Sequence, residues 1–209
     1  MKSCLSSILL AMMSMGVSHG MDMEGFELRG QMTLEARSYV SSPLYPDQEK
    51  FGASLSVEPE LFWEVNSNHS FALTPKFTLD QNDDERNSFD LREAYWQALS
   101  GPWEMKLGVA QVYWGRTEFV HLVNVINQTD LIDSIDEEEK LGQTMLEVSH
   151  LFESSTLQAW VLPGFRQRTF PGREGRLRGP LVVDTDDDTY ESSQEERHVD
   201  VAMRYSAYF

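Results

Sequence analysis

The chain is 209 residues long, strongly acidic at a formal net charge of −17, and carries a single cysteine, Cys4. A surface of that sign repels phosphate and excludes nucleic acid as a partner held by backbone contacts. No stretch after the N-terminus approaches the roughly 20 apolar residues of a membrane-crossing helix, which excludes a helical membrane protein but not a strand-built one, because a barrel strand needs an apolar side chain only at every second position.

The N-terminus reads Met1-Lys2-Ser3-Cys4, an apolar run from Leu5 to Val17, and then Ser18-His19-Gly20. A positive start, a short apolar run and a small-x-small site are the three parts of a secretory signal peptide. Residues 1–20 are therefore expected to be removed, leaving 21–209 as one exported domain. Cys4 precedes the apolar run, which argues against a lipoprotein, and it leaves with the signal. Loss of Lys2 takes the charge from −17 to −18 and leaves a mature chain without cysteine. Such a chain is stable in an oxidising compartment without disulfides, as hydrogen-bonded sheet allows.

From Phe26 the sequence alternates. Phe26, Leu28, Gly30, Met32, Leu34 and Ala36 oppose Glu27, Arg29, Gln31, Thr33, Glu35 and Arg37, the period of a strand with one apolar and one charged face. Phe51, Ala53, Leu55, Val57, Pro59, Leu61, Trp63 and Val65 then oppose Ser54, Ser56, Glu58, Glu60 and Glu64, with Phe62 the one intruder. Phe71, Leu73, Pro75, Phe77 and Leu79 oppose Thr74, Lys76, Thr78 and Asp80. Further strands are expected at 88–99, 103–114, 143–153, 156–165 and 197–209, which makes eight. Arg92-Glu93 marks a bulge in the first of these, and Pro59 and Pro75 weaken their ladders because neither can donate.

Short connections alternate with long ones. Asn66-Ser67-Asn68-His69, Ser100-Gly101-Pro102 and Ser154-Ser155 are tight, whereas 41–49, 81–87, 115–141 and 166–196 are longer. An outer-membrane barrel has this asymmetry, with short periplasmic turns and long external loops. Aromatics fall near strand ends: Trp63, Trp96 and Trp103 by the short turns, Tyr39, Phe89, Tyr113 and Trp114 by the long loops, as two interfacial girdles require. Trp160, in mid-strand, fits neither. These patterns predict an all-β fold, an antiparallel transmembrane β-barrel with about eight strands in this chain, located in the bacterial outer membrane and in contact with its lipid.

The segment from about 88 to 150 carries Arg92-Glu93-Ala94-Tyr95, then Gln111 ahead of Trp114-Gly115, then Asn124, Asn127 and Asp130. It resembles a family of largely uncharacterised proteobacterial outer-membrane barrel proteins, in which a strand with Arg-Glu-Ala-Tyr is followed by a Gly-x-Gln…Trp-Gly strand end and an Asn-x-x-Asn-Pro-x-Asp loop. Gln128 stands where the family more often has proline, which alters that turn. Members are porin-like and usually much longer, so the resemblance implies a truncated member or the N-terminal portion of a larger barrel. Against this, Val201, Met203, Tyr205, Ala207 and Phe209 share one face and end on phenylalanine, like the terminal signal by which the barrel-assembly machinery receives complete barrels. Completeness matters for function, because eight strands enclose an interior filled by side chains and an aqueous channel takes ~16.

Arg166, Arg168, Arg173, Arg176 and Arg178 crowd one long loop. Folded inward, they would oppose Glu58, Glu60 and Glu64 and select solutes by charge; left outside, they form a solvated loop. Asp184, Asp186 and Asp188 with Glu195 partly match a calcium loop, but Thr189 replaces the required glycine and no helices flank it, so no metal is expected there. Asp133, Asp136, Glu137, Glu138 and Glu139 form a second acidic run. His121, His150 and His198 lack ligand spacing, and no nucleophile elbow or phosphate loop occurs, so neither an enzyme nor a cofactor is expected.

The leading expectation is a porin-like outer-membrane channel component for passive passage of small solutes, with selectivity set by lumen charges and long loops. Two alternatives stay open: a complete small eight-stranded barrel with a structural or surface-interaction role, and a soluble secreted β-sandwich that turns the apolar face inward to bind a ligand.

Overall fold

The computed structural model describes residues 8–15, 24–113, 125–133, 138–185 and 189–208. The strands are β1 (Ile8–Met15), β2 (Phe26–Tyr39), β3 (Phe51–Asn66), β4 (His69–Asp80), β5 (Ser88–Ser100), β6 (Trp103–Ala110), β7 (Gln143–Leu151), β8 (Ser155–Pro163) and β9 (Val199–Ala207). They form one antiparallel sheet in sequence order, so the chain is all-β and each strand pairs with its neighbours in the chain. The eight strands β2 to β9 are those the alternation predicts. β1 falls inside the expected export segment, and its backbone pairs with β2 from Ile8 opposite Tyr39 to Met15 opposite Met32.

Among the described residues β9 pairs only with β8, so the sheet is open and these strands do not close a barrel.

Register explains the two-faced sheet. Phe26, Trp63, Phe71, Trp96, Leu107, Leu146, Val161 and Val201 lie opposite one another in turn across β2 to β9, an unbroken apolar row. Leu28, Leu61, Leu73, Ala94 and Val109 make the row beside it. A strand slipped by one residue would put charge into these rows, so the alternation itself enforces the pairing. The opposite face holds Arg29 across from Glu60, Gln31 across from Glu58, and Lys106 across from Glu147.

The two prolines share one interruption. Val57 pairs with Phe77 and Leu61 with Leu73, so Pro59 and Pro75 fall opposite each other where the β3–β4 ladder is broken. Neither has an N–H to donate, and placing them together confines the loss to a single site.

In β5 the expected bulge is real. Glu93 lies opposite Thr74 but Leu91 opposite Pro75, which leaves Arg92 as the extra residue. The inserted residue reverses the phase of the strand. Phe89 and Leu91 share the apolar face before it, Ala94 and Trp96 after it, and Arg92 and Glu93 both turn to the polar side.

β6 ends at Ala110, short of the expected 114. Asn127 explains this: its amide donates to the carbonyls of Ala110 and Leu141, each at 2.9 Å, and its oxygen accepts from Val112 N at 2.8 Å. A side chain thus substitutes for a strand partner.

A small apolar core lies on the polar face of the later strands. Ala110, Met145, Trp160 and Leu162 pack with Ile126 of the β6–β7 loop, and Tyr95, Val112 and Ala202 border them. Trp160 is therefore an inward core residue. Gly108 lets this half pack closely: its φ is +137°, and a Cβ there would strike the backbone of Ala94 and Tyr95 on β5. Gly108→Ala is expected to destabilise the folded form by about 1–3 kcal/mol through backbone strain and clash. Gly101→Ala, in a turn where φ is also positive at +57° but nothing lies within 4 Å, controls for the backbone strain without the clash and loses less. Urea titration of the folded protein measures both, and equal losses would refute the close-approach explanation.

Candidate functional site

The described parts of both long loops after β6 fold back over the polar face, and Arg92 is where they converge. Delivered there by the bulge, Arg92 is 4 % exposed. Its Nη2 donates to Asp130 Oδ2 at 2.6 Å and lies 3.5 Å from Asp133, and its Nη1 donates to the Lys140 carbonyl at 2.7 Å. All three partners belong to the β6–β7 loop. Asp90, two residues earlier on the same face of β5, forms an ion pair with Arg92 Nε at 3.1 Å and also receives Arg166 from the β8–β9 loop. Arg166 further donates to the Gly142 carbonyl at 2.6 Å.

The loops also hold each other. Thr169 Oγ1 donates to Asp130 Oδ1 at 2.6 Å, and the backbones of Asp130 and Thr169 form a parallel bridge. On the β6–β7 side Thr129 bridges Lys140, whose Nζ donates to Thr129 Oγ1 at 2.8 Å, and Gln111 reaches the Lys140 carbonyl. Asp133 receives Lys76 from β4, and Lys76 also lies 3.5 Å from Glu58.

Beyond Thr169 the β8–β9 loop continues across the sheet as a strap. Gly172 N donates to both carboxylate oxygens of Asp83, at 3.1 and 3.2 Å, in the turn after β4. Gln48, in the β2–β3 loop, donates to the Gly175 carbonyl at 2.7 Å. Arg176 lies over the Tyr39 ring and Arg178 over the Tyr45 ring, with centroid distances of 4.7 and 3.8 Å. One connection thus reaches from β8 to the loop between β2 and β3.

Electrostatics follow from burial and partners. Burial alone would raise the Asp130 carboxyl, but the Thr169 hydrogen bond and the Arg92 guanidinium outweigh it and hold Asp130 below its ordinary value. Asp83 and Glu139 move up, each chiefly through burial; Glu139 has Lys76 in partial compensation and Asp133 nearby to add to the rise.

The sequence-selected residues divide clearly. Arg92, Gln111, Asn127 and Asp130 come together as the loop anchor, while Glu93 and Tyr95 occupy the same polar face of β5. Trp114, Gly115 and Asn124 lie outside the described residues. Glu58, Glu60 and Glu64 share the polar side of β3, but the five loop arginines do not face them. Arg166 goes to Asp90, Arg176 and Arg178 go to the β2–β3 loop, and Arg168 and Arg173 are exposed. The cation that meets Glu58 is Lys76.

Among the girdle residues, Trp63 and Trp103 are exposed on the apolar face and Trp96 shares it; Trp63 stacks on Phe71, Trp96 on His69, and Trp103 meets His150 edge-on. Tyr39 and Tyr113 are corrected. Tyr39 has the phase of Glu35 and Arg37 and receives Arg176, and Tyr113, beyond the strand end, donates to Gln111 at 3.0 Å on the polar side. Phe77 and Phe89, 4.9 Å apart, hold the apolar face near the long loops instead. Asp186 and Asp188 of the partial calcium pattern lie outside the described residues, while Asp184 and Glu195 belong to no metal-holding group among those described. Sequence reasoning missed Lys76, Asp83, Asp90 and Thr169. Of these Asp90 had a signal in its shared phase with Arg92 and Lys76 in its place on the polar face of its strand, whereas Asp83 and Thr169 had none.

No protein-family model, curated protein or solved structure matches the chain.

Breaking a buried ion pair by removing one partner costs about 3–5 kcal/mol locally. Arg92→Gln is therefore expected to release both loops, measured as faster limited proteolysis within 125–133 and 165–185 while the strands stay protected. The pH dependence has a definite sign. Asp130, held low, stabilises docking above its ordinary value of 3.8 and loses that contribution as pH falls through its lower folded value. Asp83 and Glu139, raised, favour the folded state when protonated and lose that contribution as pH rises through their raised values. Loop cleavage by an acid-active protease should therefore rise below about pH 4 through Asp130, apart from any loosening as pH rises through the raised values of Asp83 and Glu139, and Asp130→Asn should remove the acid-side rise by leaving the loops open throughout. An acid-side rise that persists unchanged in Asp130→Asn would refute this assignment.

Proposed function

We propose that the chain builds the wall of a porin-like outer-membrane β-barrel for passive passage of small solutes, with its two long loops folded across the lumen as a constriction. One observation carries this reading: the apolar row from Phe26 to Val201 crosses all eight strands from β2 to β9, and the face to which it belongs remains open to the surroundings. Leu34 is 55 % exposed, Leu79 63 % and Met203 73 %. A contiguous apolar surface of that extent is not left facing water, and a soluble sandwich would cover it with a second sheet, which is absent among the described residues. Lipid satisfies such a face, and backbone hydrogen bonding along the ladders meets the demand that lipid makes of the main chain.

In lipid the edge groups of β9 and of the first strand also require partners. The loops on the polar face need room that an eight-stranded barrel, about filled by its own side chains, lacks. The proposed barrel therefore has more strands around the same lumen. Polar-face charges such as Glu58, Glu60, Lys76 and Arg92 then line the path, and the anchored loops set its width.

The mature polypeptide should fractionate with outer membranes and migrate differently on gels before and after heating. A freely soluble monomer without detergent would overturn the reading. In planar bilayers, Arg92→Gln should raise single-channel conductance by releasing the constriction; unchanged conductance would place the loops outside the path. On the lipid face, Leu73→Arg should cost about 2–4 kcal/mol of folding stability in bilayers. A change below about 1 kcal/mol in the same vesicle-based unfolding titration would mean that water, not lipid, meets this face.

A further inference from the structure

The polar face is unevenly charged. Between the Arg92 network and the short turns, the polar side of β3 to β7 carries Glu58, Glu60, Glu64, Glu93, Glu104 and Glu147 against Lys76 and Lys106. Each of these residues alternates with members of the apolar rows, which fixes the side it serves.

The lysines leave most of that charge unmet. Lys76 is held by Asp133 of the β6–β7 loop, with Glu58 3.5 Å away. Lys106 has its Nζ 4.6 Å from the centroid of the Tyr95 ring and forms no ion pair among the described residues. Glu104 and Glu147 accept hydrogen bonds from the neutral amides of Gln97 and Gln158, at 2.6 and 3.1 Å. Glu60, Glu64 and Glu93 form no ion pair among the described residues, and Glu60 and Glu64 are exposed. The charges of Glu58 and Glu60 both act on Glu93 across β4, with Lys106 in partial compensation.

The positive charge that could offset this face is committed elsewhere. Arg92 is ringed by Asp90, Asp130 and Asp133, Arg166 goes to Asp90, and Arg176 and Arg178 lie over tyrosine rings at the β2–β3 loop. The β6–β7 loop adds acid where it crosses, because Asp133 reaches Lys76 and the exposed Glu139 lies within electrostatic reach of Lys76 and Glu58.

Carboxylates crowded in this way repel one another and draw mobile cations as counter-ions. A low-dielectric wall focuses their field into the water beside it, which is how rings of Asp and Glu favour cations in channels. The effect needs no ion held at one place, since the potential belongs to the whole face.

We propose that the path along this face passes small cations in preference to anions, and that Glu58, Glu60 and Glu93 set the preference beside the β6–β7 loop. The inference rests on the channel reading and deepens it by naming the charge class of the solute.

The test is the reversal potential of the full chain in planar bilayers under a KCl gradient. At low salt potassium should be preferred to chloride about tenfold, the lower end of what a focused field supplies. The preference should weaken as salt rises from about 0.1 to 1 M, because the screening length contracts from ~10 to ~3 Å. Glu60→Gln combined with Glu93→Gln keeps side-chain size, removes two carboxylates without ion pairs and should cut the ratio about threefold. Glu153→Gln, in the exposed turn before β8, removes the same kind of charge away from the path and should leave the ratio unchanged. Heat-dependent gel migration confirms folding of each variant. Chloride preference or no preference in the unmodified chain overturns the proposal, as does a potassium preference that the double variant leaves intact. Either result in an open channel leaves the channel reading standing, whereas a silent bilayer sinks both.

Discussion

A buried guanidinium keeps its charge and is costly unless anionic partners surround it, and the arrangement of the polar face follows from meeting that demand at Arg92. Strand β5 supplies one carboxylate, Asp90; the others, Asp130 and Asp133, come from the β6–β7 loop, which therefore must fold inward. Asp90 is in turn shared with Arg166 and Asp130 with Thr169, so the β8–β9 loop is drawn over the same point. The pairing contributes less to net stability than to choosing one loop arrangement, because desolvation offsets most of the attraction while a missing partner would leave a bare buried charge.

The bulge makes this possible. In an uninterrupted strand Glu93 would turn to the apolar face, or the residues after it would lose their phase. One inserted residue lets Arg92 and Glu93 both serve the polar side while Trp96 keeps its place in the apolar row. Pro75, directly before the register shift and already unable to donate, sits where a broken ladder costs least.

The two halves of the polar face are filled differently. Over β6 to β9 the filling is hydrocarbon, with Met145, Trp160 and Leu162 closed off by Ile126. Over β2 to β4 it is charge, with Lys76, Arg86 and their carboxylates beneath the strap, and the packing there leaves a cavity.

The strands and their faces were legible in the sequence because side-chain direction in a strand is a local property with period two: Phe26 to Ala36 against Glu27 to Arg37 already states which side is oily. The alternation of tight and long connections and the bulge at Arg92-Glu93 were legible for the same reason, as breaks in that period. The resemblance around Arg92, Gln111, Asn127 and Asp130 marked the residues that anchor the loop without saying what they touch. Only the tertiary structure decided that Asp130 meets Arg92 across 38 positions and that Gly172 meets Asp83 across 89. It likewise turned Tyr39 and Trp160 to the polar side and sent the loop arginines to Asp90 and Tyr45 rather than to Glu58. Long-range pairing of charges depends on where whole loops come to rest, and composition within a loop carries no record of that; alternation within a strand does record its own orientation.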